Sequence, residues 1–299
     1  MIGGGAAPDV PPQEPGEAPR APGSRRSRIL GGAWQGEGLR AVVVAVLSTV
    51  VFFAVLTFAI VHAPGWPLVK ATFFNGRRFR ESLPDAARGF RVNVELFMVA
   101  EVIVLVFALF IAVLRSLPGP VFFPIRLLAI AYTDFFRGVP TILVVLLLGF
   151  GAPTLGGGVP RSTFFWAVVA LTLVYSAYVA EVYRAGIESI HPSQVAAARS
   201  LGLSRWQSLR FVVLPQAVRR VIPPLLNDFI GLQKDTALVS FIGTVEALRA
   251  AEIDSSATFN FTPYLATAFL FVVITIPLAR LTDWLISRER AKRQAGTVL

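Results

Sequence analysis

Lys234 and Asp235 stand side by side in a largely apolar stretch, and Glu181 and Arg184 stand three residues apart near the end of another. An ionised side chain inside a hydrocarbon layer is costly, so such groups default to pairing or to a solute path. At a spacing of three on a helix, Glu181 can pair with Arg184, and Asp134 with Arg137. Arg184 can also snorkel to a headgroup layer. Lys234 is too deep for that: with Arg219 and Arg220 at the inner surface, it lies about 21 to 23 Å further along a helix rising 1.5 Å per residue. Lys234 and Asp235 are therefore the leading candidates for contact with a polar solute. Glu95 and Glu101, six apart, share no helix face and are expected as buried structural carboxylates.

Other chemistries fail on residue type. A cysteine-free chain has no disulfide, thiol nucleophile or thiolate metal site, and its two histidines, His62 and His191, are far apart, so no metal centre is expected. A loop that cradles phosphates ends in Lys followed by Ser or Thr. Lys70, Lys234 and Lys292 are followed by Ala, Asp and Arg, so no cofactor is expected here and any ATP must be bound by another subunit. No Ser/His, aspartyl-pair or metal constellation for hydrolysis is visible, and the chain reads as a non-enzyme.

The elements that must hold these residues are apolar helices. Of 299 residues, 55% are hydrophobic and 15% charged, with a mean hydropathy of +0.65. That composition places the chain among membrane proteins. The net charge of +10, mostly arginine, suits anionic lipid headgroups and not nucleic acid. Residues 1–38, rich in Gly, Pro, Ala and Arg, are expected as a disordered tail. A first span is expected over 39–62, a mixed external loop over 63–91, and a core domain over 92–287. Within that core, spans are expected at roughly 93–114, within 121–150, at 162–184, at 217–243 and at 264–286, about six in all. The stretch 217–243, with Pro223-Pro224 and several charges, reads as a broken helix facing protein or a cavity. A basic tail closes the chain at 288–299. If the polar segment 185–215 is cytoplasmic, counting spans puts both termini in the cytoplasm, and the arginine distribution agrees except in 63–91.

That polar segment lies between apolar blocks. Pro192 suits the first position of a helix over 192–201, and Gly202 suits a left-handed cap. Ser204 with Gln207 is a capping-box pattern for a second helix from Arg205 to a stop at Pro215. Val195, Ala198 and Leu201 on the first helix, and Trp206, Leu209 and Val213 on the second, make apolar edges. Such a knuckle invites a docking partner.

Here the chain resembles the permease subunits of bacterial ATP-binding-cassette importers. Their loop pattern, E-A-A, three residues, G, nine residues, I, one residue, L-P, falls on Ala196, Ala197, Ala198, Gly202, Val212, Leu214 and Pro215, with Ala in place of the first Glu. Glu181-x-x-Arg184-x-Gly186-Ile187, Arg137-Gly138-Val139-Pro140 and Lys234-Asp235-Thr236 are similar to the polar amino-acid branch. The resemblance implies an all-α integral membrane protein with the type I importer architecture. It implies a second permease copy or homologue, two ATPase subunits inside docked on the loop at Ala196, Ala197, Ala198, Gly202, Leu214 and Pro215, a solute-binding protein outside, and residence in the cell membrane. It also implies a solute pocket near Arg184, Lys234, Asp235 and Glu181, with Ala180 and Leu238 facing the solute's side chain. Both of these are apolar, so a neutral or acidic amino acid is expected. The rival reading is a secondary transporter or channel for small polar solutes, which uses broken helices at the midplane but needs no docking knuckle.

Overall fold

The computed structural model describes residues 38–295, and every regular element in them is a helix. The tail expected to be disordered over 1–38 lies outside the described residues save for Gly38, which begins a helix. By its internal contacts the chain forms two units, divided after Trp66.

The first unit holds α1, Gly38–Val61, which carries no charged residue beyond Arg40. At 1.5 Å per residue its 24 residues reach about 36 Å, enough for a hydrocarbon core of about 30 Å. The second unit begins in α2, Trp66–Phe73, and continues through α3, Gly76–Ser116; α4, Phe123–Gly138; and α5, Thr141–Leu146, extended by irregular turns to Leu155. Next come α6, Thr163–Glu188; α7, Pro192–Ser200; α8, Arg205–Ser208; and α9, Leu214–Asp235. A 3-10 turn over Thr236–Ile242, α10, Ala247–Thr258, and α11, Thr262–Ala295, complete it.

Among the described residues, four helical stretches are long and apolar enough to span a bilayer: Arg40–Val61, Trp66–Ser116, Thr163–Glu188 and Thr262–Arg288. The pair α4 and α5, bent by 104° at Val139-Pro140, adds a fifth if it crosses as one broken span. The fifth expected span, 217–243, is not apolar enough to be counted with these: α9 has the length but carries Arg219, Arg220, Asp228, Lys234 and Asp235, and the chain then turns into the 3-10 segment.

The expected loop over 63–91 is mostly helix. Asn75 caps α3 by accepting from the backbone N–H groups of Arg77 and Arg78. The helix then runs for 41 residues, about 60 Å, or twice the hydrocarbon thickness. The charges that read as loop are its solvated face, with Arg77 on Glu81 and Arg91 on Glu95 at 2.8 Å. Its other face buries Ala86, Phe90, Asn93, Phe97, Ala100 and Val104 at helical spacing. Glu95 is therefore paired and half exposed, not buried.

The core lies chiefly between α3 and α6, where Ala100, Ala108, Ala167, Ala170 and Ala180 have no exposed surface. Small residues let the two backbones approach closely, as membrane helices require when no water drives their association. The start of α10 is fixed on α3 by a polar knot. The completely buried Glu246 accepts from Asn93 Nδ2 at 2.9 Å and from the N–H groups of Leu248 and Arg249, and Asn93 Oδ1 accepts from Ala247 N at 3.1 Å. Burial pushes the Glu246 carboxyl above its ordinary range, opposed by these donors. Gly89 sits directly beneath: a Cβ there would come within 2.6 Å of Ala247 N and of the Glu246 carbonyl carbon. Backbone cannot step aside cheaply, so Gly89→Ala is expected to cost about 1–3 kcal/mol by overpacking. Thermal unfolding in detergent checks this against Gly76→Ala, whose Cβ meets nothing within 4 Å and which should unfold with the wild type.

Candidate functional site

Two places concentrate the residues singled out by sequence. The first is the knuckle between α6 and α9. α7 starts at Pro192, and its end closes as a left-handed glycine cap: Gly202 has φ +86°, its N–H donates to Arg199 O at 3.0 Å, and Leu203 N–H donates to Ala198 O at 3.2 Å. α8 opens with the expected capping box, Gln207 N–H donating to Ser204 Oγ at 3.2 Å and Ser204 N–H to Gln207 Oε1 at 2.8 Å.

Pro215 does not stop this second helix. A wider π turn over Leu209–Val213 absorbs the missing N–H, and the chain runs on with Pro215 in the first turn of α9. The expected apolar edges divide between two faces. Val195 and Val213 pack with Ile190 and Ala217 into a small core of their own, and Ala198 is buried as well. Leu201, Trp206 and Phe211 point outward, 83%, 67% and 62% exposed. Ala196, at the position of the pattern's acid, is also exposed, as are Ala197, Leu214 and Pro215.

The second place is where α3, α4, α6 and α9 pack together. Glu181 accepts from Arg115 Nη1 on α3 at 2.9 Å and from Arg184 Nε at 3.1 Å, with Arg137 of α4 at 4.0 Å. Arg115 also donates to the buried Thr133 Oγ1 at 2.9 Å, and Arg184 holds Glu188 as well. The cluster thus ties α3, α4 and α6 together with charge-assisted bonds. The expected Glu181–Arg184 pair forms. The expected Asp134–Arg137 pair does not, because Arg137 turns to Glu181 and leaves Asp134 exposed.

Asp235 lies at another level. It accepts from Tyr175 Oη at 2.9 Å, and Tyr175 precedes Arg184 by nine residues, about 13 Å along α6. Lys234 beside it is exposed and makes no ion pair among the described residues. Thr236 anchors to Asn93, which fixes where Lys234 and Asp235 sit. Gly231 permits the approach, since a Cβ there would press on Tyr175 Oη at 3.2 Å. Glu101 of α3 lies within coulombic reach of Asp228 of α9, about two turns from Asp235.

The structure therefore brings Lys234 and Asp235 together, and Glu181 with Arg184, but it does not join the two pairs into one pocket. Ala180, expected to face a solute side chain, is wholly buried in the α3–α6 core and lines nothing; its Cβ is spent on close helix packing. Leu238 is half buried in the turn after Lys234. Arg115, Tyr175 and Asn93 were missed by sequence reasoning. Arg115 ends an apolar run, as a headgroup anchor does, and only its partner 66 residues away shows otherwise. No cluster of metal-ligating side chains occurs among the described residues.

Comparison with known proteins is consistent with this architecture. Residues 109–291 match the family model described as the binding-protein-dependent transport system inner membrane component. A probable glutamine ABC transporter permease protein of Bacillus subtilis (strain 168) is 37% identical over 169 residues, covering 56% of this chain and 77% of that protein. A probable amino-acid permease protein of the same organism is 32% identical over 213 residues, covering 71% and 93%. Among solved structures, the crystal structure of an amino acid ABC transporter with histidines aligns with a TM-score of 0.66 at 34% identity, covering 72% of this chain and 98% of that one.

Proposed function

The chain belongs to the binding-protein-dependent transport system inner membrane components, and from that premise we propose that a neutral or acidic amino acid crosses the membrane through it, driven by ATP hydrolysis on separate subunits. It is the permease subunit of an ABC amino-acid importer, and the family match sets aside the reading as a secondary transporter or channel. The observation that carries the docking role is the knuckle over 185–215, whose fixed glycine cap and capping box present Leu201, Trp206 and Phe211 to a partner. In that role Ala196, Ala197, Ala198, Gly202, Leu214 and Pro215 shape the contact with a cytoplasmic ATPase subunit. A second permease copy or homologue and an external solute-binding protein complete the assembly in the cell membrane.

With the knuckle inside, α9 counts as a crossing and both termini are cytoplasmic. The six basic residues of 63–91 then face outward, against the positive-inside trend that the arginines near the knuckle follow. Lys234 and Asp235 meet the solute's carboxylate and ammonium, with Leu238 beside them. Glu181 and Arg184 act by holding the helices of the pathway in place.

Competition tests the solute class. Proteoliposomes carrying the permease, its ATPase and its binding protein are expected to take up labelled L-glutamine on addition of ATP, with displacement by glutamate and neutral amino acids. Displacement by arginine or lysine alone would overturn the assignment.

A further inference from the structure

Away from Lys234 and Asp235, a cavity combines a cation, an anion and aromatic walls. It has a volume of about 640 Å³ and lies between the end of the 3-10 turn Thr236–Ile242, with Gly243 after it, and the first turns of α10. Small-molecule sites commonly occupy about 300–1,000 Å³. Phe150, Phe241 and Tyr264 wall it, and Arg249 and Glu252 line it, with Arg249 Nη1 2.7 Å from Glu252 Oε2.

This ion pair holds no two elements together. Both residues lie on α10, three apart, and their side chains are 37% and 45% exposed. α10 is fixed by other means: the Glu246 knot, the packing of Ala247 and Ala251, and Thr267 Oγ1 donating to Ala247 O at 3.0 Å. An exposed pair of this kind contributes little to stability. A ligand that supplies both charges can exchange partners with it at no net change of charge, and the fixed helix keeps the two groups at a set separation. The aromatic walls suit a neutral side chain.

We propose that this cavity is a second amino-acid site, in which Arg249 takes the carboxylate and Glu252 the ammonium of a zwitterion with a neutral side chain. The site rests on the importer reading above and deepens it. It lies at the outer end of the bundle when the knuckle is inside. The turn Thr236–Ile242 joins it to Lys234 and Asp235, about 10–14 Å away at roughly 2 Å per residue. A solute released outside would occupy the cavity first and pass to Lys234 and Asp235 when the helices move.

Binding stoichiometry tests this on the whole permease–ATPase complex in lipid nanodiscs, without binding protein, using radiolabelled L-glutamine as probe. The wild type is expected to bind about two equivalents per permease, and Arg249→Gln and Glu252→Gln about one each. The double variant Arg249→Glu with Glu252→Arg restores an ion pair with its polarity reversed; a structural pair would tolerate it, whereas a solute site should still lack the outer equivalent. Two equivalents in either single variant, two in the reversed pair, or a wild-type equivalent that Arg249→Gln leaves untouched would overturn the proposal. So would uptake by a wild type that binds none. A wild type that neither binds nor, with its binding protein, takes up any amino acid would instead overturn the importer reading on which the site rests.

Discussion

Glu181→Gln is expected to loosen one end of the helix bundle and to lower the unfolding temperature in detergent by roughly 6–12 °C, taking about 3 kcal/mol at about 2–4 °C per kcal/mol for a protein of this size. The magnitude follows from what the carboxylate faces. Arg115 and Glu181 are half-buried, 14% and 21% exposed, and removing one partner leaves the other charge poorly compensated, which in a fully buried pair costs about 3–5 kcal/mol. The low end applies because Arg137 and Arg184 retain water, and Arg184 keeps Glu188. Glutamine preserves the size of the side chain, so the loss measures charge and not packing. Removing Arg115 as well, in Arg115→Gln with Glu181→Gln, should recover part of the loss, since one uncompensated cation disappears with its partner. An unfolding temperature for Glu181→Gln within about 2 °C of the wild type, less than the shift expected for 1 kcal/mol, would mean that the cluster does not tie α3, α4 and α6.

Apolar length alone made much of this architecture legible. The runs that became α1, α6 and α11 need no tertiary information, because about 20 apolar residues span a bilayer whatever they pack against. The turns of the knuckle were equally plain: Pro192, Gly202, Ser204 and Gln207 act on their own backbone within a few residues. Misreadings arose where one face of a helix hid the other. The arginines of 77–91 masked the buried stripe Ala86, Phe90 and Asn93, so half of a long helix passed for loop. Pro215 read as a stop because a π turn upstream, which accommodates it, leaves no trace in composition.

At the candidate sites, spacing found pairs within one helix and missed partners between helices. Glu181–Arg184 was legible, but Arg115 on Glu181, Tyr175 on Asp235 and Asn93 on Glu246 join residues 60 to 153 apart. Asp134 and Arg137 share a helix face, yet the half-buried carboxylate of Glu181 draws Arg137 away. Ala180 has the right register for a pocket wall but is wholly buried in the core, a choice that depends on how the helices are rotated.

The knuckle carries the second large effect. At φ +86° Gly202 occupies a backbone region that a β-branched residue resists most strongly, and no heavy atom lies within 4 Å of where its Cβ would be. Gly202→Val therefore strains the turn without touching the core. A left-handed L-residue costs about 1–2 kcal/mol, which lowers the population of the docking-competent turn about 5–30-fold. Uptake should fall by a similar factor while the protein still reaches the membrane and unfolds no more than about 2–8 °C below the wild type. The decisive measurement is amino-acid uptake and ATP hydrolysis followed in the same proteoliposomes for wild type and Gly202→Val. Coupling through the knuckle predicts that the variant transports about 5–30-fold less solute for each ATP consumed; an unchanged ratio at wild-type uptake would contradict it.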